Sequence, residues 1–343
     1  MSREREGHRA PGECPTRSKG ALTPGLVTYA GWMSTQARAF SLGAEGGDDG
    51  SFKRQDSTFR NWVSDEAGAE FPVAAGRYHL YVARACPWAH RTLIGRMLMG
   101  LEDAISVSYV DPLRDERGWE FTGDGYEDPV NGFRYLSQAY DAADPAYEAR
   151  VSVPVLWDRE RGTIVNNESE DILRMLSTVF APLASHPVEL VPEALRDEID
   201  ALNQHIYDTV NNAVYKAGFA RAQAVYEAEV AALFGTLDEL DARLTDRRFL
   251  FGDQPLETDW RLFTTLVRFD AVYQIHFKCS LRKLVEYPRL WPYARDLYQW
   301  PGVADTVSFD EIRAHYYGTH PMINPSRLVA VLPADDWDEP AGR

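Results

Sequence analysis

The sequence predicts an α/β domain followed by an all-helical one. Between residues 78 and 177, short β-rich runs alternate with helical periods. Beyond residue 190, apolar residues recur every three or four positions and no strand pattern returns. A third observation locates the chemistry: the first strand-like run ends in Ala85-Cys86-Pro87-Trp88, a cysteine with a proline at what reads as the first helical position. At 343 residues the chain is long enough for two domains of roughly 100–200 residues each.

Residues 1–47 are rich in Gly, Pro, Ser, Thr and Arg without sustained periodicity, the composition of a disordered extension. Met33 stands just ahead of the more regular sequence. Translation starting there would leave Cys14 outside the protein, and mass spectrometry of the native N-terminus decides the point. Residues 48–180 form the predicted α/β domain. Its first strand is Tyr78 to Ala83, and a helix follows from Pro87 to Met99 with Leu93, Ile94, Met97 and Leu98 on its apolar side. Ile105 to Tyr109 is the second predicted strand. From Asp111 to Ala149 runs a segment rich in Gly, Asp, Tyr and Pro, of a length that marks functional or unstructured loops. Pro154 to Trp157 and Thr163 to Val165 read as two short strands, and a helix begins near Ser169 with Ile172, Leu173 and Leu176 at helical spacing. This β-α-β…β-β-α order fits a thioredoxin-like domain. Ala181 to Pro187 reads as a linker. In the second domain, residues 190–343, Leu195, Ile199, Leu202, Ile206 and Val210 keep one helical period, and Leu233, Leu237, Leu240 and Leu244 another. Asp259 opens a further predicted helix from Trp260 to Tyr273.

Composition bounds the function. A formal charge of −16 argues against nucleic acid or an anionic membrane as the main partner. No apolar run approaches the roughly 18 residues that span a bilayer, and Met1-Ser2-Arg3-Glu4-Arg5 lacks the apolar core of a signal peptide. Cys14, Cys86 and Cys279 are too widely and irregularly spaced for a disulfide framework or a zinc pattern. The sequence predicts a cytoplasmic protein of a reducing compartment, with no bound metal, where a working thiol stays reduced.

Cys86 is the leading candidate for that thiol. At a helix N-terminus the dipole and the free backbone N–H groups favour the thiolate. Ala89 stands where a redox-active Cys-x-x-Cys motif has its second cysteine, so chemistry at Cys86 needs a thiol from outside. Cys279, within Ile275-His276-Phe277-Lys278-Cys279, reads as a buried and inert side chain. Val153-Pro154 is the second element. In a thioredoxin-like fold the residue before this proline pairs its backbone with an extended thiol peptide across a cis bond, although the same dipeptide also serves as an ordinary trans strand start. The third element is Asn167-Glu168-Ser169-Glu170. Ser169 at a helix start suits a carboxylate, Glu168 suits an α-ammonium group, and the pair suits the γ-glutamyl end of glutathione. Ser169 taken alone is equally an N-cap.

Together these elements resemble the glutathione transferases, and Cys86-Pro87-Trp88-Ala89-His90-Arg91 resembles their xi class, the glutathionyl-hydroquinone reductases. The likeness extends through Phe52-Lys53-Arg54-Gln55, Phe59-Arg60-Asn61-Trp62, Val153 to Asp158, Asn211 to Phe219, Trp260 to Phe263, Arg268 to Tyr273, His276 to Cys279, His315-Tyr316-Tyr317-Gly318 and Ile323-Asn324-Pro325. It spans roughly residue 50 to the C-terminus.

The resemblance implies a thioredoxin-like domain followed by an all-helical transferase domain that supplies the aromatic-substrate site and a homodimer interface. It also implies a reaction, with glutathione as co-substrate and no bound cofactor. Cys86 attacks the sulfur of a glutathionyl-hydroquinone, forms a mixed disulfide with glutathione and releases the hydroquinone; a second glutathione resolves the disulfide. Phenolic hydroxyls stabilise charge developing on the ring oxygen. Tyr215 and Tyr317 are expected as the catalytic phenols, with Tyr273 and Tyr316 at the aromatic substrate, although Tyr316 and Tyr317 are interchangeable on the sequence alone. Trp119, Arg150, Val153, Glu168 and Ser169 are expected to bind glutathione. His90 either tunes the thiolate or lies on the helix surface. Two other readings stay open: a general deglutathionylase or dehydroascorbate reductase, and a non-catalytic interaction module of the same fold. One departure concerns folding. Leu256 replaces the hydroxyl residue expected three positions before Asp259, so half of a capping box is missing, a loss of about 1 kcal/mol unless Thr258 or Asp259 compensates.

Overall fold

The computed structural model describes residues 45–332 and 336–342. Most of the N-terminal segment, with Cys14 and Met33, lies outside the described residues. Its last three residues are packed: Gly46 bridges Phe52, and Lys53 N donates to Glu45 O at 2.7 Å.

The α/β part is a four-stranded sheet in the order β2-β1-β3-β4, with β1 Tyr78–Val82, β2 Ile105–Tyr109, β3 Val155–Asp158 and β4 Thr163–Asn166. β1 runs parallel to β2 with Leu80 opposite Val107, and antiparallel to β3 with Leu80 opposite Leu156. All five residues of β1 are buried, because helices cover the sheet rather than solvent. Helix α1, Pro87–Leu98, joins β1 to β2; the short α2 spans Ser137–Ala143; and α3, Ser169–Ser177, follows β4. The long segment from Asp111 to Ala149 is therefore not one loop. It holds α2, and it is ordered by the Asp128 carboxylate, which accepts the N–H groups of Val130 and Phe133 at 3.0 Å and the Tyr81 hydroxyl at 3.0 Å.

Beyond residue 190 the chain is helical: α4 Arg196–Ile206, α5 Ala213–Gly218, α6 Gln223–Arg243, α7 Glu257–Arg268, α8 Leu290–Tyr298 and α9 Phe309–Thr319. The helix predicted through Tyr273 instead ends at Arg268 and continues as a π-helical turn over Phe269–Tyr273; a second such turn spans Tyr207–Asn211. Among the described residues no helix is long and apolar enough to cross a membrane.

Two apolar cores result, and α1 belongs to both. Leu93 packs with the sheet residues Leu80, Val82 and Ile105, while Ile94 packs with the helical core around Val214, Leu262 and Phe263. A helix buried on both sides needs no polar face, which is why the start of α1 is held so firmly. Gly95 permits the close approach of α3, since a Cβ there would lie 2.5 Å from Leu173 Cδ1.

At the start of α7, a leucine side chain has no acceptor, so only the carboxylate half of the capping box forms. Asp259 accepts from Leu256 N at 2.8 Å, and also from Leu250 N at 2.9 Å and the Tyr293 hydroxyl at 2.8 Å. Burial pushes its carboxyl up to about 6. The Asp259→Ala variant removes the shared acceptor of three buried donors, and we expect it to lose roughly 3 kcal/mol in urea unfolding. A loss below about 1 kcal/mol would show that water or a neighbour replaces the carboxylate.

Candidate active site

Cys86 is the N-cap of α1, in extended conformation (φ −81°, ψ 122°), with Pro87 at the first helical position. Its N–H is held by Ala83 O at 3.0 Å, and its carbonyl accepts from His90 N at 2.9 Å. The thiol is half-buried and lies 3.6 Å from Val153 O. The Val153–Pro154 bond is cis. The other described cysteine, Cys279, is fully buried, and burial pushes its thiol far up.

Two adjoining cavities share Arg54, Trp88, Arg150, Ser152 and Val153 along their common border, and Cys86 lines the first. The first holds Cys86, Trp119, Arg114, Tyr215, Tyr316 and His315. The second runs to Glu168 and Ser169. A polar pocket thus adjoins the aromatic one that carries the sulfur.

At the polar end, Glu168 is the N-cap of α3 and its carboxylate accepts from Glu170 N at 3.3 Å. Ser57 Oγ donates to the other carboxylate oxygen at 2.9 Å. Ser169 follows as the first helical residue and is buried, beside the dipole end that favours anions. Arg150 lines both cavities but is already paired, its Nη1 lying 2.6 Å from Glu45 Oε1. Trp119 is stacked on His315 with ring centroids 5.0 Å apart, and the Arg114 guanidinium lies 5.1 Å from the Trp119 ring. His315 donates from Nδ1 to Pro112 O at 2.7 Å, and burial, then Arg114, brings it down to about 3, so the ring is neutral.

The aromatic end is built on hydroxyls. Tyr215, Tyr273 and Tyr316 form a triangle with oxygen separations of 2.5 Å (Tyr215–Tyr316), 2.9 Å (Tyr273–Tyr316) and 3.5 Å (Tyr215–Tyr273). Burial holds all three above the ordinary phenol value, with the Cys86 sulfur adding to it at Tyr215. They are therefore neutral hydrogen-bond donors. Tyr215 and Tyr316 line the cavity, while Tyr273 stands behind them, fully buried.

Tyr317 is the correction. It is not brought to the cavity: its hydroxyl donates to Ala271 O at 3.2 Å and its ring packs edge-on against His276. Neighbours on a helix point about 100° apart, so α9 presents only one of the two tyrosines to Cys86. Tyr273, expected at the aromatic substrate, is a second correction, since it is fully buried behind Tyr215 and Tyr316 and lines neither cavity; Cys86, Trp119, Arg150, Val153, Glu168, Ser169, Tyr215 and Tyr316 are at the paired cavities. Sequence reasoning gave no role to Arg54, Trp88, Arg114, Phe219, His315 or His320, which also line the first cavity. Arg54, Trp88, Phe219 and His315 lie in stretches that carry the family likeness, whereas Arg114 sits in a segment without periodicity and carries no local signal. His90 is not on the surface; it is fully buried.

Family models match both halves of this architecture: the glutathione S-transferase N-terminal domain over residues 85–179 and the C-terminal domain over residues 223–296. The chain is 50% identical over 305 residues to the glutathionyl-hydroquinone reductase YqjG of Escherichia coli, covering 86% of this chain and 92% of that protein. It is 47% identical to the glutathionyl-hydroquinone reductase PcpF of Sphingobium chlorophenolicum, covering 83% and 90%. Among solved structures it is similar to a xi-class glutathione transferase from Natrialba magadii (TM-score 0.81, 53% identity, covering 82% of this chain and 88% of that one). It is likewise similar to the glutathione-bound structure of E. coli YqjG (TM-score 0.80, 49% identity, covering 83% and 95%).

The geometry separates the two described cysteines. Brief treatment of the folded protein with iodoacetamide, followed by peptide mapping, is expected to modify Cys86 and leave Cys279 unmodified until denaturant is added. Equal labelling of both in the native state would contradict the burial described above.

Proposed function

The chain belongs to the xi class of glutathione transferases, and from that premise we propose that it is a thiol-dependent reductase that cleaves glutathionyl-hydroquinones. The observation that supports this most is the placing of one half-buried thiol, at a helix N-cap, near both the Glu168–Ser169 start of α3 and a pair of neutral phenols.

In this reading the γ-glutamyl end of glutathione lies in the second cavity. Its α-carboxylate meets the N-terminus of α3 at Ser169, and its α-ammonium group meets Glu168. Val153 pairs with the peptide backbone and Trp119 lies against the tripeptide, while Arg150, held by Glu45, lines the border between the two cavities. The aryl ring then reaches Tyr215 and Tyr316.

The ring first tautomerises to a keto form, moving a hydroxyl proton onto the carbon that bears sulfur. The Cys86 thiolate attacks the glutathione sulfur, a Cys86–glutathione S–S bond forms and the S–C bond breaks. Its electron pair passes into the ring and onto the carbonyl oxygen, which becomes a phenolate. Tyr215, with Tyr316 hydrogen-bonded behind it at 2.5 Å, donates to that oxygen and protonates it. A second glutathione thiolate then attacks the glutathione sulfur of the mixed disulfide, which restores Cys86 and releases glutathione disulfide. Ala89 leaves no local thiol to compete for this last step. Tyr316 takes the role the sequence had given Tyr317, and Tyr273 completes the proton-sharing triangle. A homodimer in the cytoplasm is the setting the family resemblance implies.

The test compares substrates and phenols. We expect a glutathionyl-hydroquinone to be turned over faster than a simple glutathione mixed disulfide; the reverse order would favour the general deglutathionylase reading. Cys86→Ser is expected to abolish turnover. Tyr316→Phe should lower kcat on the glutathionyl-hydroquinone by roughly 10- to 100-fold, less than the roughly 100- to 1000-fold of losing a direct oxyanion donor because Tyr316 acts through Tyr215, and Tyr317→Phe should stay within about twofold. Equal losses in the two variants would mean that the triangle is not the proton donor.

A further inference from the structure

Arg268 closes α7 and is fully buried, yet it makes no ion pair with an acid among the described contacts. Its guanidinium is spent on the backbone that delivers Cys86. Nε donates to Ala85 O at 2.9 Å and Nη2 to Arg84 O at 2.8 Å, the two carbonyls immediately before the cysteine. Nη1 donates to Thr264 O at 2.7 Å, one turn back on its own helix, and to His90 Nδ1 at 3.1 Å. A guanidinium has only donors, so Nδ1 of His90 accepts and its proton sits on Nε2. That proton is directed to Thr306 Oγ1 at 2.7 Å, and the threonine hydroxyl donates to Val303 O at 2.6 Å. Four of the five guanidinium N–H groups thus have an acceptor, and along the line Arg268–His90–Thr306–Val303 each group donates to the next, which fixes the tautomer of the buried ring.

His90 N also donates to Cys86 O at 2.9 Å. Arg268 thus holds the chain on both sides of the cysteine, the two carbonyls before it and the first helical turn after it. The same positive charge acts on the hydroxyls of Tyr273 and Tyr316, drawing both down against the upward effect of burial.

We propose that Arg268 is a positioning residue for the reaction. Its planar fork, anchored through His90 and Thr306 in the helical core, fixes Cys86 at the start of α1 in register with the tyrosine triangle. Lysine at this position would keep the charge but not the two-carbonyl fork. This rests on Cys86 being the nucleophile and deepens that reading.

The experiment uses the full chain with Arg268→Lys and, as a milder variant that keeps the guanidinium, Thr306→Val, which removes the distal anchor of His90. Circular dichroism and thermal melting establish that each is folded. Cys86 alkylation is followed by peptide mapping, and kcat and KM are measured with a glutathionyl-hydroquinone. For Arg268→Lys we expect kcat to fall about 10- to 100-fold with KM within about threefold, and Cys86 alkylation to slow by at least fivefold. Thr306→Val is expected to shift kcat and alkylation in the same direction by a smaller factor, about two- to fivefold. Should Arg268→Lys not fold, Thr306→Val carries the test alone. A folded variant that melts earlier but keeps wild-type kcat and wild-type Cys86 alkylation overturns the proposal and leaves Arg268 a packing residue. Alkylation needs no substrate, so a wrong substrate class would remove turnover in the parent protein while leaving this comparison intact.

Discussion

The structure depends on one junction, the turn at which strand β1 becomes helix α1. Hydrogen bonding leaves the cysteine there little freedom, since its N–H is tied to Ala83 O and its carbonyl to His90 N. Packing leaves it less, because α1 is buried between the sheet on one side and the helical core on the other. The free N–H groups at the start of such a helix are a standing site for negative charge. The fold therefore places one sulfur at the start of a helix, on the lining of the first cavity, where Ala89 offers no second thiol.

The chemistry follows from how each end of the paired cavities handles charge. At the Glu168–Ser169 end the charges are fixed by a helix terminus and a carboxylate, which suits a zwitterionic amino-acid headgroup. At the tyrosine end burial keeps every phenol protonated, so the cavity presents donors to an oxygen that turns negative only as a bond breaks. Tyr273 does not touch the cavity, but its hydroxyl 2.9 Å from Tyr316 gives that phenol a partner when its own proton is engaged. Both π-helical turns lie beside this cluster, one just ahead of α5, which carries Tyr215, and one ending at Tyr273. Such wide turns recur at functional sites.

The α/β half of the site was legible because its signals are local. A cysteine before a proline, a valine before a proline and a Glu-Ser pair at a helix start each declare their geometry within a few residues. The helical half was less so. Ile312, His315, Tyr316 and Tyr317 are all buried on α9, so no polar stripe marks which side faces Cys86, and the choice between two adjacent tyrosines turned on tertiary packing. Arg268 was given no role, and His90 was left between tuning the thiolate and lying on the helix surface, for a different reason. Polar residues at helix ends and first turns read as solvent-exposed, and only the folded chain shows that each satisfies the other in the interior. Arg150 was read as the partner of a carboxylate; the one it holds is Glu45, from a segment whose composition promised no structure. The segment from Asp111 to Ala149 hid its order because an aspartate collecting N–H groups leaves no periodic trace.

The claim beneath all of this is that one sulfur takes glutathione from the aryl ring and waits for a second thiol to remove it. It is tested most directly by mixing the reduced protein with excess glutathionyl-hydroquinone and no free thiol in a rapid-quench apparatus. The account predicts a single burst of about one hydroquinone per chain, with glutathione retained on Cys86, and further turnover only when glutathione is added. Continuous release without added thiol, or a burst that leaves Cys86 unmodified, would contradict it.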